Sequence, residues 1–118
     1  MMKLTLTLAL LAGPSFAEEW KMRDGDHLFS AHELKERLIQ SDLVFYDEGR
    51  SVYGADGSYS YTYGGGGTWE GWFEAQDDSI VCVTFVTGST RCDRIVENDG
   101  RLVVLTDEGE RFPVRPSE

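Results

Sequence analysis

From residue 48 onward the chain is punctuated by turn signals: Glu48-Gly49, Asp56-Gly57, Gly64 to Gly67, Asp77-Asp78, Thr87-Gly88, Asp99-Gly100 and Glu108-Gly109. Their spacing is mostly eight to twelve residues, which leaves room for one short strand each. It leaves no room for the helical crossover that a parallel strand pair requires. The runs between the signals are rich in β-branched and aromatic residues. This pattern predicts a mainly β fold, an antiparallel meander of six to seven short strands forming a curled sheet or small barrel, with Leu43 to Tyr46 as its first strand.

Upstream of Leu43 the signals are helical. Ser30-Ala31-His32-Glu33 reads as a capping box, with Phe29 and Leu34 placed to staple across it. Glu33 and Arg37 stand at i and i+4 in the favourable order, and Leu34 and Leu38 form a narrow apolar stripe. A short N-terminal helix at about 31–40 is expected to lie against the sheet. Glu18 to Gly25 is polar apart from Trp20 and Met22, and reads as a loosely held opening segment.

Met1 to Ala17 carries Lys3, an apolar run from Leu4 to Ala12, Gly13-Pro14 and the small-x-small pattern Ser15-Phe16-Ala17. This predicts an export signal at residues 1–17, cleaved after Ala17. Its apolar run is less than half of the roughly 20 residues a bilayer requires. Residues 18–118 then form a single small β-rich domain without a transmembrane segment, in the periplasm or outside the cell.

The formal charge is -10; without Lys3, ten Lys and Arg face 21 Asp and Glu. Such a balance argues against nucleic acid and anionic membrane surfaces, both of which need a cationic footprint. The two cysteines, Cys82 and Cys92, are expected to form one disulfide in an exported chain. Register supports the same pairing. A three-residue loop Val86-Thr87-Gly88 places Phe85 opposite Ser89, and Cys82 opposite Cys92 in a non-hydrogen-bonded pair.

Similar three-residue loops at Asn98-Asp99-Gly100 and Asp107-Glu108-Gly109, with a four-residue loop at Gln76 to Ser79, extend the register. One face then collects Trp69, Phe73, Ile80, Cys82, Val86, Cys92, Val96, Leu102, Val104, Phe112 and Val114 as the expected core. The other carries Glu70, Glu74, Arg91, Asp93, Glu97, Arg101 and Arg111 toward solvent, and Val81, Val83, Phe85 and Leu105 beneath the helix.

Tyr59, Tyr61 and Tyr63 share one face of a strand. An even-numbered glycine turn sets Tyr59 against Trp72 in an exposed aromatic strip; an odd-numbered turn sends the tyrosines inside with Trp69. Aromatic residues also simply suit strands and stabilise cross-strand pairs, and that plainer account comes first. Arg94 is the one charged side chain on the expected core face and is a candidate anchor for a carboxylate. His27 and His32 are off the helical metal-ligand spacing, Ser30 is already explained as a helix cap, and Gly64 to Gly67 lacks the lysine of a phosphate loop. No catalytic residue, metal site or cofactor is expected.

The run Gly57 to Tyr63, with Gly67-Thr68-Trp69, Cys82-Val83, Arg91-Cys92-Asp93 and Arg111-Phe112-Pro113, resembles small exported proteins of Gram-negative bacteria grouped as families of unknown function. That resemblance implies no activity. The Gly-x-Trp strand in a small meander is also similar to lipocalin- and avidin-like barrels. The expected function is a monomeric, non-enzymatic binding or envelope-associated module that uses Tyr59, Tyr61, Tyr63 and Trp72 to hold a protein, glycan or small ligand. The alternative is a small barrel carrying an apolar or carboxylate ligand, anchored by Arg94. A hydrolase built on His32 comes last.

Overall fold

The computed structural model describes residues 20–116; the expected export signal, with its cleavage after Ala17, lies outside them. The chain forms helix α1 (Ala31–Leu38) and strands β1 (Leu43–Val44), β2 (Arg50–Tyr53), β3 (Ser58–Thr62), β4 (Thr68–Gln76), β5 (Ile80–Phe85), β6 (Thr90–Asn98), β7 (Arg101–Leu105) and β8 (Arg111–Pro113). Each strand pairs antiparallel with the next in one eight-stranded sheet. The count exceeds six to seven because Glu48, at φ 72°, turns the chain back after a first strand of only two residues.

The sheet curls into a half-barrel whose outer edges touch. Phe45 bridges Val114, Arg115 N donates to Val44 O at 2.8 Å, and the Arg115 guanidinium grips both carboxylate oxygens of Glu48. In such a meander the β1–β2, β3–β4, β5–β6 and β7–β8 connections share one end, and the other connections share the opposite end. Helix α1 sits at that opposite end. Ser30 caps it, with both halves of the capping box formed, and Ala31 N donates to Asp77 Oδ1 at 2.9 Å in the β4–β5 turn. Leu34 and Leu38 are fully buried and pack with Phe73, Val81, Val83, Ile95, Leu102 and Val104 on the concave face. Removing each such side chain from water stabilises the fold by about 1.5–3 kcal/mol.

Two of the four expected loop lengths differ, and each moves residues between faces. The β4–β5 connection has three residues, because Gln76 pairs with Ile80 and Phe73 with Val83. Asp78 and Ser79 both take left-handed conformations, at φ 65° and 64°. A tertiary contact holds that turn: buried Ser79 accepts from Phe29 N through Oγ at 2.6 Å and donates its own N–H to Phe29 O. The β6–β7 connection is the two-residue turn Asp99-Gly100, both at positive φ, so Val96 meets Val103 instead of Leu102. Because side chains alternate with period two, one residue of slip exchanges the faces.

The expected core face is therefore corrected. Phe73, Leu102, Val104 and Val114 are buried on the concave face as expected. Cys82 and Cys92 pair as expected, in a disulfide with Cα atoms 4.0 Å apart, but the bridge lies half-buried on the convex face beside Glu74. Ile80 is on that face too, because it pairs with Arg94. Val86 belongs to a turn and is exposed, and Trp69 and Phe112 point inward at the open end, where they also remain exposed. Arg91, Asp93 and Glu97, expected in solvent, share the concave face with Val83, Val81 and Leu102.

The opening segment is pinned to the convex face. Trp20 covers Val96, Val103 and Leu105, so Leu105 is buried beneath Trp20 instead of α1. His27 and Glu97 exchange backbone hydrogen bonds of 2.8 and 3.1 Å, which satisfies an edge of β6 that β5 does not reach. The Asp26 carboxylate accepts from Nη1 and Nη2 of Arg111 at 2.9 and 3.0 Å, from Asn98 Nδ2 at 2.7 Å and from Arg23 N at 2.8 Å.

Candidate functional site

The tyrosine question is settled by one turn. Tyr63 N donates to Gly67 O and Gly66 N to Tyr63 O, leaving three loop residues between Tyr63 and Gly67. The odd count pairs Tyr61 with Trp69 and Tyr59 with Gly71, so the tyrosines face inward with Trp69. Trp72 pairs with Ser58 and Thr84 on the convex face, where it is 55% exposed. The expected strip of Tyr59, Tyr61, Tyr63 and Trp72 therefore does not exist as one surface.

The inward rings instead line the open end of the half-barrel, in a concavity of about 610 Å³. That volume is in the range of small-molecule sites. Its floor is made by Tyr53 and Tyr59, both buried, with ring centroids 4.9 Å apart and Tyr53 edge-on to Phe73 at 5.0 Å. Burial pushes both phenol pKa values up, and the Tyr59 hydroxyl meets Ser51 Oγ at 3.0 Å. Toward the mouth, Tyr61 stands edge-on to Tyr63 at 5.1 Å and Trp69 edge-on to Phe85 at 6.1 Å. Among the described residues eight large apolar side chains are exposed, and four of them, Tyr46, Tyr63, Trp69 and Phe112, surround this mouth. Exposed apolar side chains are thus concentrated at this mouth.

Gly71 lets the β5 backbone approach closely in the wall. It lies between Tyr59 and Phe85 in the ladder, whose rings approach to 6.0 Å across it. A side chain there would run into the Thr84 carbonyl oxygen, and into Phe85 Cα at 2.8 Å. Both are backbone atoms, so the close approach requires glycine.

One ion pair is set into the apolar wall. Arg91 and Asp93, two apart on β6, point the same way. Nε donates to Oδ2 at 3.1 Å and Nη2 to Oδ1 at 3.0 Å. The Asp93 side chain is 16% exposed and that of Arg91 55%. Burial raises the Asp93 pKa, with the charge of Asp107 adding to it, while the Arg91 hydrogen bonds act in the opposite direction.

Arg94 takes no part. It projects from the convex face, donating from Nε to Asp78 O at 3.0 Å, with its guanidinium 5.4 Å from the centroid of Trp20. His27 stands edge-on to Phe29 at 5.3 Å, His32 is exposed on α1, and Ser30 Oγ accepts from Glu33 N as a cap; none of the three lines the concavity. Sequence reasoning missed Tyr46, Tyr53, Trp69, Phe85, Arg91 and Asp93 as site residues. Comparison with known protein families, curated proteins and solved structures finds no match. A second cleft, of about 260 Å³, lies between the end of α1 and the β6–β7 turn; of its three arginines, Arg37 and Arg115 are paired with Glu97 and Glu48, and the Arg101 guanidinium lies 5.9 Å from the centroid of the Tyr46 ring.

Proposed function

We propose that this is a non-enzymatic binding module, and that it takes a small ligand or a projecting side chain into the aromatic concavity at the open end of the half-barrel. The observation that carries this reading is the exposure of Tyr46, Tyr63, Trp69 and Phe112 around a cavity of about 610 Å³. Leaving four large rings in water has a hydrophobic cost that a bound ligand would remove. The rings belong to short strands and their turns, and the floor beneath them is packed, which favours a preformed site over one assembled on binding. An exported location is part of the proposal, supported by the N-terminal signal pattern and the disulfide. No helix among the described residues is long and apolar enough to cross a membrane.

N-phenyl-1-naphthylamine, a neutral apolar fluorophore, tests the reading. We expect saturable binding at one site, weakened at least ten-fold by Trp69→Ala and by Tyr61→Ala and unchanged by Trp72→Ala on the convex face. Absence of binding to the parent protein would refute it, as would loss of binding in Trp72→Ala with retention in Trp69→Ala.

A further inference from the structure

The walls of this concavity carry information about charge, and we infer that its ligand is an organic cation, an amine or quaternary ammonium group held against the rings. This rests on the binding reading given above and names the ligand class for it. The mouth is lined by electron-rich rings. Tyr61 and Tyr63 are nearly perpendicular, at 89°, and Trp69 and Phe85 stand at 74°. In such edge-to-face pairs one ring meets its neighbour's edge, and the ring faces left free carry the negative part of the aromatic quadrupole that a cation seeks.

The ionisable groups agree. The lining holds two carboxylates, Asp47 and Asp93, against one cation, Arg91. The Arg91 charge is already committed to Asp93 through two hydrogen bonds. A carboxylate ligand would have to share Arg91 with Asp93, whose own negative charge beside the guanidinium opposes a second anion. Asp47 is exposed at the mouth, where Oδ1 accepts from Gly49 N at 2.8 Å, and its charge bears on the Tyr61 hydroxyl. The concavity therefore combines aromatic rings with an exposed carboxylate, Asp47, at its mouth, in a chain of net charge -10 that attracts cations from a distance.

Three probes of nearly the same shape separate the possibilities: choline, its neutral carbon isostere 3,3-dimethylbutan-1-ol, and 3,3-dimethylbutanoate. Binding is followed by NMR through the Trp69 indole N–H and the Tyr61 and Tyr63 ring signals, with the Trp72 indole N–H as the unaffected reference. We expect choline to bind about ten-fold or more tighter than the alcohol, as a desolvated cation–π contact implies, and the carboxylate to bind weakest. Asp47→Asn keeps an oxygen for Gly49 N, and is expected to weaken choline several-fold while leaving the alcohol unchanged. Equal or tighter binding of the alcohol, or tightest binding of the carboxylate, would overturn the inference. So would failure of all three probes in a protein that still binds N-phenyl-1-naphthylamine, which would leave the concavity as a site for neutral ligands. Failure of every probe would remove both readings.

Discussion

The Asp26 carboxylate is 0% exposed and its partner Arg111 13%, so Asp26→Asn removes one charge from a desolvated pair while keeping the side chain's size. Removing one partner of such a pair costs about 3–5 kcal/mol, since the remaining charge is left buried and unpaired. For a domain of this size that is a fall in Tm on the order of 15 °C or more. The consequence reaches the site. Arg111 immediately precedes Phe112, which points the other way into the concavity, and the clamp fixes the strand that carries both. The pair also sets a pH signature. Hydrogen bonding to Arg111 holds the Asp26 pKa well below the usual carboxylate range against the opposing effect of burial, with Asn98 and Arg23 N assisting. A depressed folded-state pKa contributes stability that is complete above the unfolded value, about 3.9, and is lost as the pH falls through the folded one. Urea unfolding of parent and variant at pH 7 and in steps below pH 4 should thus show a gap of about 3 kcal/mol or more that narrows with acid. Asp26→Leu combined with Arg111→Met should recover part of the loss, because no charge is then stranded. A cost below about 1 kcal/mol at pH 7, the size expected of a surface pair, or a gap independent of pH, would refute the argument.

Asp93 gives the opposite sign. Its pKa is raised by burial, so the ionised form costs stability at neutral pH; Asp93→Asn should unfold at higher urea than the parent at pH 7, with the advantage vanishing as the pH drops toward 4. Gly71→Ala forces a methyl group onto the Thr84 carbonyl and should cost about 1–3 kcal/mol in thermal or urea unfolding, with weaker N-phenyl-1-naphthylamine binding because Tyr59 and Phe85 are displaced. Reducing the Cys82–Cys92 bridge, whose sequence separation is 10, should cost about 3 kcal/mol in the chain-entropy account, measured as the fall in urea midpoint on adding reductant.

Much of the fold is legible in particular residues. Gly88 and Gly109 lie at φ 95° and 89°, as three-residue hairpin loops require, and they place Cys82 opposite Cys92 and Val104 opposite Phe112. Ser30 and Glu33 announce the helix start. Asp99-Gly100 was readable as a two-residue turn, since Asp-Gly is a strong signal for that geometry, and taking it as three residues cost the β6–β7 register. The Asp77–Ser79 turn was not readable, because what fixes it is Phe29, 50 residues away.

That turn separates what local chemistry writes from what packing decides. The sequence by itself determined the strand spacing, the helix and its cap and the cysteine pair, because each depends on backbone geometry within a few residues, whereas the even or odd count of the glycine loop was left to the structure. Which face of β4 and β5 is concave was decided only when Phe29 docked on Ser79 and Leu34 and Leu38 filled one end of the half-barrel. With period-two alternation a single residue at that turn carries Arg91 and Asp93 from solvent into the wall of the cavity and the disulfide out of it. The aromatic concavity is thus a property of the curled sheet, assembled from strands whose individual patterns do not distinguish its two sides.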